Sequence, residues 1–170
     1  MFARSGEKAA ACRAMHPHIM SSFVCAGGNR DAENRWFRHL IQVFDMPTSL
    51  AFYRDVMRFE VISDAPEDGR CDWVWLKSGE SELMLNTAYE AEARPSAPDS
   101  TRLAAHSDTT LYFGCEDVDV ARAELRARGV ATREPIVTDY GMKQVYLKDP
   151  DGYEICLQQP VDAADAVRSQ

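Results

Sequence analysis

The chain has 170 residues, of which 45% are hydrophobic, and this is enough for one globular domain with its own core. Lysine and arginine number 19 against 27 aspartate and glutamate residues, which gives a formal net charge of −8. Because no run of basic residues offsets this acidity, the composition argues against nucleic acid or an anionic membrane as a partner. No stretch reaches the roughly 18–20 apolar residues that a membrane-spanning helix needs.

The cysteines are odd in number, widely spaced and without a CxxC pair, a pattern typical of reduced thiols rather than of disulfides or a structural zinc site. The N-terminus also lacks the continuous apolar core of a secretory signal. The sequence therefore predicts a cytoplasmic protein. The five cysteines are Cys12, Cys25, Cys71, Cys115 and Cys156.

Residues 1–34 differ in composition from the remainder of the chain. They are rich in alanine, serine, glycine and arginine, show little periodicity, and contain the breaker cluster Ala26–Arg30. We therefore expect a flexible N-terminal extension before the folded domain.

The first ordered segment reads as a strand, a helix and three further strands. The strand over Arg38–Val43 ends at a proline, and a helix capped by Thr48 or Ser49 is expected to run to about Met57. A turn over Ser78–Ser81 joins the last two strands. The three later strands are predicted at Phe59–Ser63, Trp73–Lys77 and Glu82–Asn86.

The same order of elements then begins again after a Pro/Ala/Ser-rich connection at residues 89–107. A strand over Thr110–Cys115 precedes a helix that Asp117 can cap and that Gly129 can end. The last two strands flank the turn Asp149–Gly152. The three later strands are predicted at Val130–Arg133, Lys143–Leu147 and Tyr153–Gln158.

This repetition, with Asp45 and Asp117 lying 72 residues apart, predicts two tandem copies of one α+β module. The predicted domain spans residues 35–160, with modules at about 36–88 and 108–159 and a C-terminal tail at 161–170. Alternation within the strands predicts one apolar sheet face packed on the helices. The opposite face mixes polar, sulfur and aromatic groups, and alternation alone leaves open whether it is solvated or faces a ligand.

Two segments carry a family resemblance. Val43–Phe59, which reads VFDMPTSLAFYRDVMRF, is similar to the opening motif of the vicinal oxygen chelate superfamily of glyoxalases, bleomycin resistance proteins and dioxygenases. Lys148–Ile155, KDPDGYEI, resembles the terminal motif of that family, and the match covers about residues 36–160. The resemblance implies paired βαβββ modules forming a curled mixed sheet around a cavity, with helices on the outer face, often in homodimers. Arg58 stands where the family usually has glycine.

The positions that bind metal in metal-using relatives correspond to Arg38, Glu82, Thr110 and Cys156. Of these side chains, only the Glu82 carboxylate is a ligand suited to a hard divalent ion. The comparison therefore predicts no metal cofactor. A divalent ion stays an alternative, held by His39, Glu82 and His106 if a bulge turns His39 inward.

Without a metal, the resemblance points to the branch that includes the bleomycin resistance proteins, which hold a small-molecule ligand between aromatic surfaces. The alternative function is a metal-dependent lyase or dioxygenase related to glyoxalase I, with Glu82 as ligand or catalytic base. Trp73 and Tyr146 are further aromatic candidates, for which core packing is an equal alternative. The predicted ligand-binding residues are Arg38, Gln42, Trp75, Glu82, Met84, Asn86, Thr110, Tyr112, Tyr140, Lys143 and Cys156.

Overall fold

The structure, a computed structural model, describes residues 37–90 and 92–161. The predicted N-terminal extension, and the predicted tail beyond Val161, lie outside the described residues. The compact unit described below begins at His39. Within the described ranges no helix is both long and apolar enough to cross a bilayer.

The first module forms a four-stranded mixed sheet, here called sheet A, in the order β1-β4-β3-β2. Strand β1 runs parallel to β4, and the other neighbours are antiparallel. The strands are β1 (His39–Val43), β2 (Glu60–Val61), β3 (Trp73–Ser78) and β4 (Ser81–Thr87).

The second module repeats this topology in sheet B, whose order is β5-β8-β7-β6 with β5 parallel to β8. The prediction of an α+β fold with two tandem βαβββ modules is thereby confirmed, as two open four-stranded sheets rather than a closed barrel. The strands are β5 (Thr110–Gly114), β6 (Ile136–Val137), β7 (Met142–Lys148) and β8 (Glu154–Pro160).

The first helix begins earlier than predicted. Helix α1 spans Met46–Ala51 and continues as a π-helical segment over Phe52–Val56. Its N-cap is Asp45, whose Oδ2 accepts from the backbone N–H of Thr48 at 3.1 Å, so the expected cap at Thr48 or Ser49 is wrong. Pro47 in the first turn is compatible with this start, because its missing N–H would have no partner inside the helix.

The connection between modules contains a short helix that the sequence did not suggest. Helix α2 (Ser100–Ala105) is followed by a 3-10 turn over His106–Asp108. None of the residues of α2 is buried, so it has no apolar stripe from which a helix would be predicted. Its start is fixed by Asp99, whose carboxylate accepts from the N–H of Thr101 at 2.8 Å.

The second module follows the prediction closely except in its second strand. Helix α3 (Val118–Ala127) is capped by Asp117, and Gly129 after it has φ +81°, as predicted. The strand expected at Val130–Arg133 is reduced to a single bridge between Thr132 and Leu147, and the short β6 forms further along.

Both sheets turn their apolar faces toward one shared core. In sheet A, Val43, Val74 and Leu85 are 0% exposed, and in sheet B the same is true of Val145 and Ile155. In sheet A these residues alternate with half-buried or exposed neighbours, whereas in sheet B Gln144 and Cys156, on the opposite face, are buried as well. The faces turned away from this core are called the open faces below.

A turn from the second module ties the two modules together. Asp151 accepts from the Phe44 N–H at 2.7 Å and from the Ser49 hydroxyl at 3.0 Å, while Asp149 accepts from the Tyr53 hydroxyl at 2.9 Å. Burial raises the pKa of the Asp149 carboxyl to about 6, and the hydrogen bond from Tyr53 opposes that shift. This set of buried hydrogen bonds, called the joint below, anchors the first helix to the second module.

Candidate functional site on the open faces of the two sheets

The open face of sheet A has an apolar centre. Strand register sets Leu40 beside Met84, and Met84 beside Trp75. The Trp73 and Trp75 ring centroids lie 6.4 Å apart with planes tilted by 50°. Leu40 remains 46% exposed and Ile62, which follows β2 beside Trp75, 42% exposed. We call this surface the aromatic face.

Polar groups flank this apolar patch in the neighbouring cross-strand rows. Gln42 lies beside Asn86, which in turn lies beside Trp73, and the amide of Asn86 donates to the Thr87 carbonyl at 3.0 Å. On the other side of the patch Glu82 pairs across the strands with Lys77. An apolar patch between hydrogen-bonding groups is the composition expected of a small-molecule site.

The open face of sheet B is organised around one buried amide. The side-chain nitrogen of Gln144, a residue only 1% exposed, donates to Gln158 at 3.0 Å and to the Tyr140 hydroxyl at 3.1 Å. The Tyr146 hydroxyl donates to the oxygen of the same amide at 2.9 Å. The Tyr112 hydroxyl, ahead of burial, raises the pKa of Tyr146. We call this surface the polar face.

A second polar group on the polar face centres on Glu154. Its carboxylate accepts from Arg133 at 2.7 Å and from the Thr110 hydroxyl at 3.3 Å. The Arg133 guanidinium lies 5.5 Å from the centre of the Tyr146 ring, within the range of a cation–π contact. Arg133 and Glu154 are therefore joined to the tyrosine cluster, although neither was a predicted site residue.

The predicted residues thus divide into groups. Eight of them, together with Trp73, lie on the two open faces as alternation requires. The same alternation, continued along β7 and β8, also identifies Gln144, Tyr146 and Gln158. The eight are Gln42, Trp75, Glu82, Met84, Asn86, Thr110, Tyr112 and Cys156.

Two predicted residues at the entry to β7 have different positions. Tyr140 is 66% exposed and reaches the polar face through Gln144. Lys143 points to the opposite side of sheet B, where its ammonium group pairs with Asp119 of α3. The structure therefore does not bring Lys143 together with the other predicted residues. Arg38 directly precedes β1 and lies just outside the compact unit that begins at His39.

The residues at the family's metal positions do not form a metal site in the described part of the chain. Cys156 is 0% exposed, and burial raises the pKa of its thiol, which keeps the sulfur protonated. The Thr110 hydroxyl is hydrogen-bonded to Glu154. Among residues 37–90 and 92–161 no three histidine, cysteine, aspartate or glutamate side chains converge as metal ligands would.

The alternative triad is also dispersed. His39 shares its side of β1 with Ile41 and Val43, on the core side of sheet A, whereas Glu82 belongs to the open face. The ring of His106 stacks on Tyr153 at 4.0 Å, and its Nδ1 lies 2.6 Å from the Asp151 carbonyl oxygen. The donors present do not fit a divalent ion.

The comparison with known proteins agrees with this architecture. The model of the glyoxalase/bleomycin resistance protein/dioxygenase superfamily matches residues 36–157. The protein YaeR of Escherichia coli strain K12 is 29% identical over 124 residues, which are 68% of this chain and 88% of YaeR.

Solved structures extend the comparison. SMU.1112c is 30% identical, with 75% of this chain and 100% of that chain covered and a TM-score of 0.57. TnmS3, an antibiotic binding protein from Streptomyces sp. CB03234, is 26% identical, with 75% and 98% covered and a TM-score of 0.53. A bleomycin resistance determinant encoded on the transposon Tn5 is 17% identical, with 74% and 97% covered and a TM-score of 0.56, and it supports the fold alone.

Proposed function

Because the chain belongs to the glyoxalase/bleomycin resistance protein/dioxygenase superfamily, we propose that it is a metal-independent binding protein for a planar small molecule. The ligand lies against the aromatic face and is oriented by the hydroxyl and amide groups of the polar face. The observation that carries the proposal is the composition of the aromatic face, where apolar side chains remain accessible beside two tryptophans. The likeness to an antibiotic binding protein supports a ligand of this class.

Binding on these surfaces requires no covalent step. Trp75 and its neighbours supply contact area for a flat ring system, and Gln42 and Asn86 supply hydrogen bonds at its edge. Metal independence is proposed because the positions that hold an ion in metal-using relatives carry a buried thiol at Cys156 and a hydroxyl at Thr110.

We further propose that the protein acts in the cytoplasm as a homodimer. The location is supported by the absence of a CxxC pair in the chain and by the free thiols of Cys115 and Cys156. The homodimer is supported by exposed apolar side chains on both open faces, since a second copy can cover part of each face. Sedimentation analysis at micromolar concentration tests the assembly state.

Tryptophan fluorescence tests the ligand site directly. The chain has three tryptophans, and a Trp36→Phe variant leaves the emission to Trp73 and Trp75 on the aromatic face. We expect planar polycyclic antibiotics from a broad panel to quench this emission, and a further Trp75→Phe substitution to weaken the binding. Failure of every compound to bind by fluorescence and by calorimetry contradicts the proposal.

Metal analysis separates this function from the enzymatic alternative. The purified protein is expected to contain no stoichiometric divalent ion, and its ligand affinity is expected to be unchanged by a chelator. A tightly held ion that is lost in a Glu82→Gln variant supports the lyase or dioxygenase instead.

A further inference from the structure

A second pocket lies away from both open faces, between the two modules. Its volume is about 210 Å³, and it forms where the end of the first helical segment, the β3–β4 turn, the end of β5 and helix α3 come together. None of the residues predicted to bind a ligand lines it. The floor consists of Phe59, Phe113, Leu125 and Leu157, of which all but Phe113 are less than 10% exposed.

The size and lining suit a small apolar body. An apolar cavity of about 150 Å³ is able to hold a benzene molecule, so this pocket has room for one ring and a short substituent. The Phe59 and Phe113 rings meet edge to face at 5.5 Å at the seam between the modules, which supplies aromatic contact for such a ring.

The charged side chains at this pocket sum to a positive charge, although the chain as a whole has a net charge of −8. Those in its lining are Arg58, Glu124 and Arg128, and Arg128 donates to Glu124 at 2.8 Å. Asp55, the acidic neighbour whose pKa Arg58 helps to lower, is already bound by both Nε and Nη2 of Arg54, at 2.7 and 2.9 Å. Three arginines and two acidic residues therefore leave one positive charge without a paired carboxylate, and the Arg58 guanidinium contributes it to the pocket lining. The five residues are Arg54, Asp55, Arg58, Glu124 and Arg128.

Arg58 is also the one described non-glycine residue with a positive φ, +64°. The corresponding position after α3 is Gly129, with φ +81°, so glycine meets the same backbone requirement in the second module. An L residue in this conformation costs roughly 1 kcal/mol. Strained residues of this kind cluster at ligand-binding positions, which gives the arginine a functional reason to replace glycine.

We propose that this pocket binds a small aromatic carboxylic acid, with the ring on the apolar floor and the carboxylate at Arg58. This site is separate from the ligand site on the open faces, and neither proposal depends on the other. Charge complementarity selects the acid, and the pocket volume limits the ligand to about one ring.

The half-buried thiol of Cys115 in the pocket lining provides a local readout. The rate at which iodoacetamide alkylates Cys115 in the full chain is measured by peptide mass spectrometry, with and without phenylacetate. Cys71, a half-buried thiol outside the pocket lining, serves as the internal control. We expect phenylacetate to slow alkylation of Cys115 at least threefold and to leave Cys71 unchanged.

The neutral isostere phenylacetamide tests the role of the charge. It is expected to bind about threefold more weakly than phenylacetate, the scale of an exposed ion pair. In an Arg58→Met variant this preference for the acid is expected to disappear, while protection by the amide is kept. A preference that survives in Arg58→Met contradicts the assignment of the carboxylate to Arg58.

Filling the pocket tests its location. Ala121→Phe, in the lining on α3, is expected to abolish protection, whereas Val120→Phe, one residue away and 55% exposed, is expected to preserve it. If Ala121→Phe does not fold, Ser81→Trp at the exposed edge replaces it, with the same expectation. Absence of protection in the unaltered protein, equal protection of Cys71, or a Cys115 that is inert without ligand overturns the proposal.

Discussion

The open faces of the two sheets have the same topology and different chemistry. In sheet A the central cross-strand row is Leu40, Met84 and Trp75, with apolar atoms left accessible. In sheet B the row at the equivalent place on the strands is Tyr112, Cys156 and Tyr146, joined to the amide network of Gln144. The buried residues on their core-facing sides, by contrast, are valine, leucine and isoleucine in both sheets.

This difference indicates that packing restricts the residue types on the core side of a duplicated module, while the residue types on its open side can diverge. Both core-facing sides must fit the same interior, where a change of volume destabilises the fold. The open faces meet no such requirement, and one carries accessible apolar side chains while the other carries a network of hydrogen bonds. The predictions below test this division.

The largest effect is expected at Gln144. Gln144→Ala should lower the free energy of unfolding by about 2 kcal/mol, because it leaves the Tyr146 hydroxyl and the Gln158 oxygen without their buried partner. The matched change on the aromatic face, Gln42→Ala at an exposed position, should alter it by less than about 0.5 kcal/mol. Urea denaturation of both variants measures the difference. Equal losses of stability would contradict the proposed division between the polar face and the aromatic face.

Ligand affinity, unlike stability, should depend more on the aromatic face than on the polar face. For any compound that binds the open faces, Trp75→Ala is expected to weaken binding about tenfold or more, since buried aromatic contacts dominate such sites. Tyr112→Phe, which keeps the ring and removes one hydroxyl, is expected to weaken it about threefold. Isothermal titration supplies both values, and a larger loss from Tyr112→Phe would transfer the main contact to sheet B.

The coupling of the two modules should depend on pH through Asp149. Its pKa is raised from 3.8 to about 6 in the folded protein, so its protonated form is favoured by folding. The stability from this group is fully present below pH 3.8 and is lost as the pH rises through 6, which predicts an unfolding free energy about 1 kcal/mol higher at pH 5 than at pH 7.

The control for the pH effect is Asp149→Asn, which removes the titrating group and keeps the side-chain shape. Urea denaturation at pH 5, 6 and 7 should show that the free energy of unfolding rises less from pH 7 to pH 5 in this variant than in the unaltered chain. A rise of the same size in both proteins would assign the pH dependence to another residue.

The smallest effect is expected at the position after the helix where both modules have a positive φ but the first has Arg58 and the second Gly129. Arg58→Gly should raise the free energy of unfolding by about 0.5–1 kcal/mol by relieving the left-handed conformation. The reciprocal Gly129→Ala should lower it by about 1 kcal/mol, and through conformation alone, since an added Cβ there meets no atom within 4 Å. Thermal unfolding measures both; a loss of stability in Arg58→Gly would mean that the arginine side chain stabilises the turn.

Much of this architecture was predictable from local pattern. The strand faces followed from the alternation of residues such as Leu83, Met84 and Leu85, and helix α3 from its cap at Asp117. Tyr140 and Tyr146 of the cluster around Gln144 were candidates, but Gln144 and Gln158 were missed because their hydrogen bond depends on the register between β7 and β8, which a single strand does not reveal. The segment Phe52–Val56 lies inside the predicted helix, but its π-helical form does not show in the apolar spacing, and the unburied helix α2 leaves no apolar stripe to detect.

The candidate site was predictable to the level of the sheet face and not beyond it. Lys143 entered the predicted set from its place near a turn, although alternation with the buried Gln144 assigns it to the core side of sheet B. Arg133 was overlooked because its contacts with Glu154 and Tyr146 join residues far apart in the chain. Long-range contacts of this kind are what a sequence read alone shows least.

The joint has a consequence for how the protein is made. The hydrogen bonds that Phe44 and Ser49 donate to Asp151 connect positions 107 and 102 residues apart, and the bond from Tyr53 to Asp149 spans 96. During translation the first module therefore leaves the ribosome long before the carboxylates that anchor its helix have been synthesised. We expect the nascent first module to stay incompletely folded, and open to proteases, until the turn at Asp149–Gly152 emerges.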